Sequence, residues 1–262
     1  MVRELASVQF DWTLFFHRLF DPTSQFWHGL IITISVAIVA QIVGVLIGGV
    51  TVAASRSWRP LRALAFLYVL VFRGTPLIVQ VFFLYFGANI FLGFTLFPRE
   101  LDLLGLQIQG AILAGITALA LNEGAYMSEI IRAGIDAVDK GQMESALSIG
   151  LTRRRAMYHI VLPQAARTIV PPLGNQFNGM IKATSLLAFI GVTEIFQDAQ
   201  ITYAANFQPV EVLAAVALWY LLLTIGWTLI QMQIERKLGV AHTDTAVPFS
   251  RRALGFRMRG ET

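Results

Sequence analysis

Three ionisable residues, Arg73, Glu123 and Lys182, stand inside stretches that are otherwise apolar. A charge kept in such surroundings is costly, and it marks either a site that uses the charge or an internal ion pair. Lys182 belongs to a series, Asn175, Asn178, Lys182 and Ser185, whose steps of three, four and three residues stack them on one helix face. A polar stripe of that period is expected to line a cavity or a seam between subunits. Asn122 and Tyr126, four residues apart, share a face of another helix beside Glu123. Arg73 opens "RGTP", where Gly74 and Pro76 can break a helix and bare the backbone around Thr75. The chemistry open to this set is recognition of charge. Arg73 or Lys182 on one side and Glu123 on the other can hold a solute of both signs, or Glu123 can pair internally with either cation.

Chemistry that makes or breaks bonds has no support. There is no cysteine, and His17, His28, His159 and His242 are scattered in no spacing that holds a metal on one helix face. No HExxH, GxSxG, paired-aspartate or phosphate-loop pattern occurs, and Ser185 has no histidine near it in sequence to activate it.

The elements that carry these residues are expected to lie in a bilayer. The 262 residues are 56% hydrophobic and only 14% charged, against about a quarter charged in soluble domains. Apolar runs long enough to cross a bilayer core of about 30 Å cover residues 28–54, about Leu61 to Phe91, Ile108 to Ile131, Pro163 to Val192 and Val210 to Ile234. The reading is an all-α polytopic bundle of five spans, the second kinked near Pro76 and the fourth bent at Pro171 and Pro172. Residues 1–25, with the aromatic run "FDWTLFFHRLF", are expected to lie in the outer interface; 26–238 form the membrane domain; 239–262 form a basic tail. Arginine and lysine collect in the connection after the first span, in the long one after the third, and in the tail. The positive-inside rule therefore places those segments in the cytoplasm and the N-terminus outside, with the tail holding the orientation against anionic lipid. The basic balance, net +4, is accounted for by these loops and implies no nucleic acid.

The long connection, residues 132–163, has structure of its own. Met143 to Ile149 reads as a helix, Gly150 stands where a left-handed residue would stop it, Thr152 can cap a second helix, and Pro163 is expected to start the next span. The product is a helix-turn-helix elbow outside the membrane. Leu147, Ile149, Leu151, Met157 and Tyr158 give it apolar surface and Arg153 to Arg155 a basic rim, suited to docking in a groove of another protein.

These residues carry a family resemblance. "ESALSIGLTRRRAMYHIVLP" resembles the EAA motif of bacterial ABC importer permeases in Glu144, Ser145, Ala146, Gly150, Ile160, Leu162 and Pro163, with Ser145 where alanine is usual. "FRGTPLIVQVFFLYFG", "LNEGAYMSEIIRAGIDAV" and "KATSLLAFIGVTE" are similar to segments of the polar amino-acid branch, so that the likeness runs over about residues 26 to 238. It implies a type I importer transmembrane domain in a bacterial cytoplasmic membrane. It implies further that two permease subunits, identical or sisters, sit on two ATP-binding subunits that hold ATP and magnesium, and that an extracytoplasmic solute-binding protein delivers an amino acid. The elbow would be the contact with the ATPase; no cofactor would be bound by this chain. The competing reading is an ion-coupled secondary transporter or channel with Glu123 as proton carrier, which has no inverted repeat in its favour and leaves the elbow unexplained.

Overall fold

A computed structural model describes residues 10–103 and 106–240; nearly all of the expected basic tail lies outside them. The described residues are helical apart from one short antiparallel hairpin, β1 (Glu100–Leu103) with β2 (Leu106–Gln109), paired Glu100 to Gln109, a departure from a purely helical expectation. Helix α1 (Trp12–Phe20) is capped by Asp11, whose Oδ1 accepts from the amides of Thr13 and Leu14 at 2.9 and 3.0 Å. It lies against α11 (Pro209–Lys237), where the Asp11 amide donates to Glu211 Oε1 at 3.0 Å.

Helix α2 (Ser24–Ser55) and α11 are each long and apolar enough to cross a membrane. On α2, Ile31, Ile38, Ile42, Leu46 and Val50 point outward and are exposed, which only an apolar solvent makes favourable. The opposite face of α2 is small: Ala37, Ala40, Gly44 and Gly48 let it close on α6 (Gly110–Asp136). A methyl group added at Gly44 would stand 2.7 Å from Glu123 Cγ. Small residues are how membrane helices reach dispersion contact when burial from water no longer drives association. Helix α6 has 27 residues, ample length at about 1.5 Å each, and of its polar groups Glu123 and Ser128 are buried.

The second span is broken where Gly74 and Pro76 are expected to allow it. Helix α3 (Arg59–Gly74) and the segment Leu77–Leu92 meet at 110° across Thr75 and Pro76. That segment comprises α4 (Leu77–Phe82), a π-turn over Phe83–Gly87 and α5 (Ala88–Leu92). Thr75 and Pro76 are both extended, as proline requires of the residue before it.

The fourth span also corrects the expectation. Helix α8 (Arg153–Ala156) runs through a π-turn, Met157–Val161, into α9 (Leu162–Ala183) and a final 3-10 stretch, Thr184–Ile190. Pro163 therefore does not begin a helix. It lacks the N–H that would bond the His159 carbonyl, and the ladder widens so that the Leu162 amide reaches the Met157 carbonyl. Pro171 and Pro172 stay inside α9, beside carbonyls that α11 supports: Gln231 Nε2 donates to Pro171 O at 3.2 Å and Trp227 Nε1 to Gly174 O at 2.8 Å. The chain turns by 51° after Ile190, where Gly191 at φ +84° ends the helix. The segment between the fourth and fifth expected spans forms α10 (Ile195–Asn206), capped by Glu194 through the amides of Phe196 and Gln197.

Candidate functional site

The elbow is built locally. Helix α7 (Lys140–Ser148) starts at Asp139, which accepts from the Gly141 amide at 2.7 Å. It stops in a Schellman turn: Leu151 N donates to Ala146 O at 3.1 Å and Gly150 N to Leu147 O at 3.0 Å. Gly150 takes φ +89°, the left-handed region its position demands. Thr152 then caps α8 through the Arg155 amide at 3.4 Å. Ala146, Ala156 and Val161 are buried where the two arms meet, and Gln164 Nε2 bonds Gln142 Oε1 across them at 3.1 Å. The outer side is open. Glu144, Ser145, Leu147, Gly150, Tyr158 and Pro163 are exposed, and Ile149 is 78% exposed, whereas Ile160, Leu162, Leu151 and Met157 are half-buried.

The polar stripe of α9 also faces outward. Asn175 and Lys182 are exposed, Asn178 and Ser185 half-buried. Asn178 Nδ2 reaches Thr228 Oγ1 of α11 at 3.4 Å, while its Oδ1 is buried without a partner among the described residues. Ser185 Oγ donates back to Lys182 O at 2.7 Å. Lys182 forms no ion pair with any described residue and, with Ser185, lines a depression of about 420 Å³ against Phe196 and Tyr220.

A second group forms around the broken span, and it sorts the expected residues. Thr75 and Asn122 hold the break: Gln80 Nε2 bonds Phe72 O, Thr75 O and Thr75 Oγ1 at 2.9, 3.1 and 2.9 Å, and Asn122 Nδ2 bonds Phe72 O and Gln80 Oε1 at 2.9 and 3.0 Å. These contacts satisfy the carbonyls that the break frees, as a chain without water must. Arg73 lies over the Tyr126 ring, 5.3 Å from its centroid, and its ion-pair partner is Glu129 at 3.5 Å. The three border a cavity of about 660 Å³.

Glu123 is elsewhere. It is 5% exposed and turned into the α2 contact, where Gln41 Nε2 donates to its Oε1 at 3.0 Å. The expected pairing of Glu123 with Arg73 or Lys182, and its expected place opposite those cations around a solute, are both corrected by this packing. Gly44 opens a recess on α2 that draws the side chain in, one helical step away from the face of Asn122 and Tyr126. The carboxylate of the open group is Glu129, which sequence reasoning passed over because it lies at the polar end of the apolar run. Its neighbour Arg132, three residues on, was the available signal; the two pair at 2.8 Å. Glu194 was missed too. It is fully buried, accepting from Tyr220 Oη at 2.9 Å besides its capping bonds.

Comparison with known proteins agrees with this architecture. The family model of binding-protein-dependent transport system inner membrane components matches residues 42–240. The arginine transport system permease protein ArgU of Corynebacterium glutamicum is 33% identical over 94% of this chain and 77% of its own length. The glutamine transport system permease protein GlnP of Escherichia coli is 31% identical over 89% of this chain and all of its own. Among solved structures, an amino acid ABC transporter crystallised with histidines superposes with a TM-score of 0.70 at 36% identity, covering 81% of this chain and 94% of that one. With that likeness running through spans, elbow and broken helix alike, the chain belongs to the binding-protein-dependent transport system inner membrane components.

Proposed function

We propose that this chain is the permease subunit of an ATP-driven importer of polar amino acids. The observation that carries the reading is Lys182: a cation on an exposed face of a spanning helix, with no ion-pair partner among the described residues. Lipid cannot solvate that face, so Asn175, Asn178, Lys182 and Ser185 require a second permease subunit or an aqueous path between two. Arg73 and Tyr126, on the open side of the broken span, are the further path residues of this proposal, positioned by Thr75 and Asn122. Glu123 fastens α6 to α2 behind them. The relatives named for arginine and for glutamine support amino acids as the class, and they carry different ones.

The elbow supplies coupling. Its exposed Glu144, Ser145 and Ile149 suit a groove on an ATP-binding partner, which holds ATP and magnesium, so that closure of the partners moves the elbows and the bundle as rigid bodies. Loop charge sets the cytoplasm on the elbow side and the N-terminus outside, where a solute-binding protein docks. The test is uptake of labelled amino acids into proteoliposomes holding this chain, its ATPase and its binding protein. Uptake that needs ATP and the binding protein is the expected result; uptake driven by an ion gradient without ATP would establish the secondary-transporter reading instead.

A further inference from the structure

We propose that the cleft between the ends of α2, α3 and α6 binds the phosphate of an anionic phospholipid headgroup. The cleft encloses about 190 Å³ and is lined by Thr51, Ser55, Arg62, Phe66, Ser128 and Arg132, with Glu129 at its inner edge. Its two arginines and Ser55 come from helix ends. Ser55 is the last residue of α2, Arg62 lies in the first turn of α3, and Arg132 is one turn from the end of α6. This level of a spanning bundle is where headgroups lie.

Charge decides what the cleft can hold. Arg62 donates Nε to Ser55 O at 3.2 Å and Nη2 to Ser57 O at 3.3 Å, which fixes the guanidinium without neutralising it, and no described carboxylate pairs with it. Glu129 is the one carboxylate on the wall, and it is shared between Arg132 at 2.8 Å and Arg73 at 3.5 Å. Arg56 and Arg132 also draw on Asp136, at 3.0 and 3.7 Å. Among the described residues that line the cleft, two guanidinium groups, Arg62 and Arg132, face one carboxylate, Glu129, and the surplus is positive. A planar guanidinium held at two points is a matched donor for phosphate oxygens.

The lip of the cleft distinguishes a lipid from a free anion. Phe66, 69% exposed, and Val69 form part of the wall, and Leu70, 56% exposed, carries the apolar surface one step further along α3, a surface for an acyl chain. Headgroup cations of the protein at one end and apolar surface running into the membrane plane from it are the recognition pattern of anionic lipid between spanning helices. A protein partner seated here would have to bring carboxylates to the same arginines, and the test includes that outcome. The proposal rests on the orientation read from loop charge, which makes these helix ends cytoplasmic, where anionic lipid is concentrated.

The experiment is native mass spectrometry of the complete transporter titrated with phosphatidylglycerol or with phosphatidylcholine of the same chains, with inorganic phosphate as a third probe. Phosphatidylglycerol is expected to bind tightest. Arg62→Gln is expected to weaken it about fivefold, the worth of one arginine at an anionic surface, with Arg59→Gln, on the same helix outside the cleft, causing a smaller loss. Equal retention of the two lipids, tighter binding of free phosphate, or an Arg62→Gln protein that binds as before would overturn the proposal. So would a photoreactive residue at position 66 that captures protein instead of lipid. Orientation is read separately: the chain has no cysteine, so a single Ser57→Cys labelled by an impermeant maleimide reports which side these helix ends face.

Discussion

Glu123 and Arg73 show how a single residue's role follows from the surface it is packed against. Both are charges in apolar segments, yet Glu123 is closed into the α2 contact with Gln41 while Arg73 lies open over Tyr126. Glu123→Gln keeps the volume and a hydrogen-bonding group, so it is expected to leave selectivity among amino acids unchanged in a competition uptake assay. Glu123→Ala removes the partner of a buried amide, and thermal unfolding of the purified complex should register a loss of about 1 to 3 kcal/mol. A change of substrate preference in either variant would return Glu123 to the path. The sequence places both charges inside spans; it does not reveal that Glu129 takes the cation of Arg73, because that depends on the relative height of α3 and α6.

At the scale of elements, the elbow and the broken span differ in how they are specified. The elbow is set by Gly150, Thr152 and the residues beside them, and its turn was readable in the sequence because a left-handed stop and a cap are local requirements. Gly150→Val forces a β-branched residue to φ +89°, a strain of about 1 to 2 kcal/mol or more. The variant is expected to insert normally while ATP hydrolysis by the complex stops responding to loaded binding protein, measured as phosphate release. The broken span depends on partners distant in sequence. Gln80→Leu strips the bonds to the Phe72 and Thr75 carbonyls and to Asn122, so that the Thr75 carbonyl at the break loses its side-chain donor while Phe72 O keeps Asn122 Nδ2. The expected outcome is a lower thermal midpoint, with a loss of about 1 to 3 kcal/mol, and reduced uptake at unchanged expression.

For the whole molecule, the outward polar face of α9 leaves Lys182 with no ion pair among the described residues, the feature on which the proposed pairing of permease subunits rests. Lys182→Leu is expected to cut ATP-driven uptake about tenfold or more, the equivalent of one hydrogen bond to a charged group, in a complex that still assembles on size exclusion. The purified chain alone is expected to show no ATP hydrolysis; measurable turnover would contradict its role as a permease. The sequence by itself determined the apolar spans, the helix faces on which polar residues stack, and the Schellman turn of the elbow, since composition, periodicity and a positive φ at glycine are properties of neighbouring residues. Only the tertiary structure decided that the second span folds back at 110°, that Pro171 and Pro172 stay within a helix beside α11, and that Glu123 turns toward Gly44 and Gln41. A proline or a carboxylate states locally what it cannot bond or where it is costly, and the helix that packs against it decides whether the chain bends and which way the charge points.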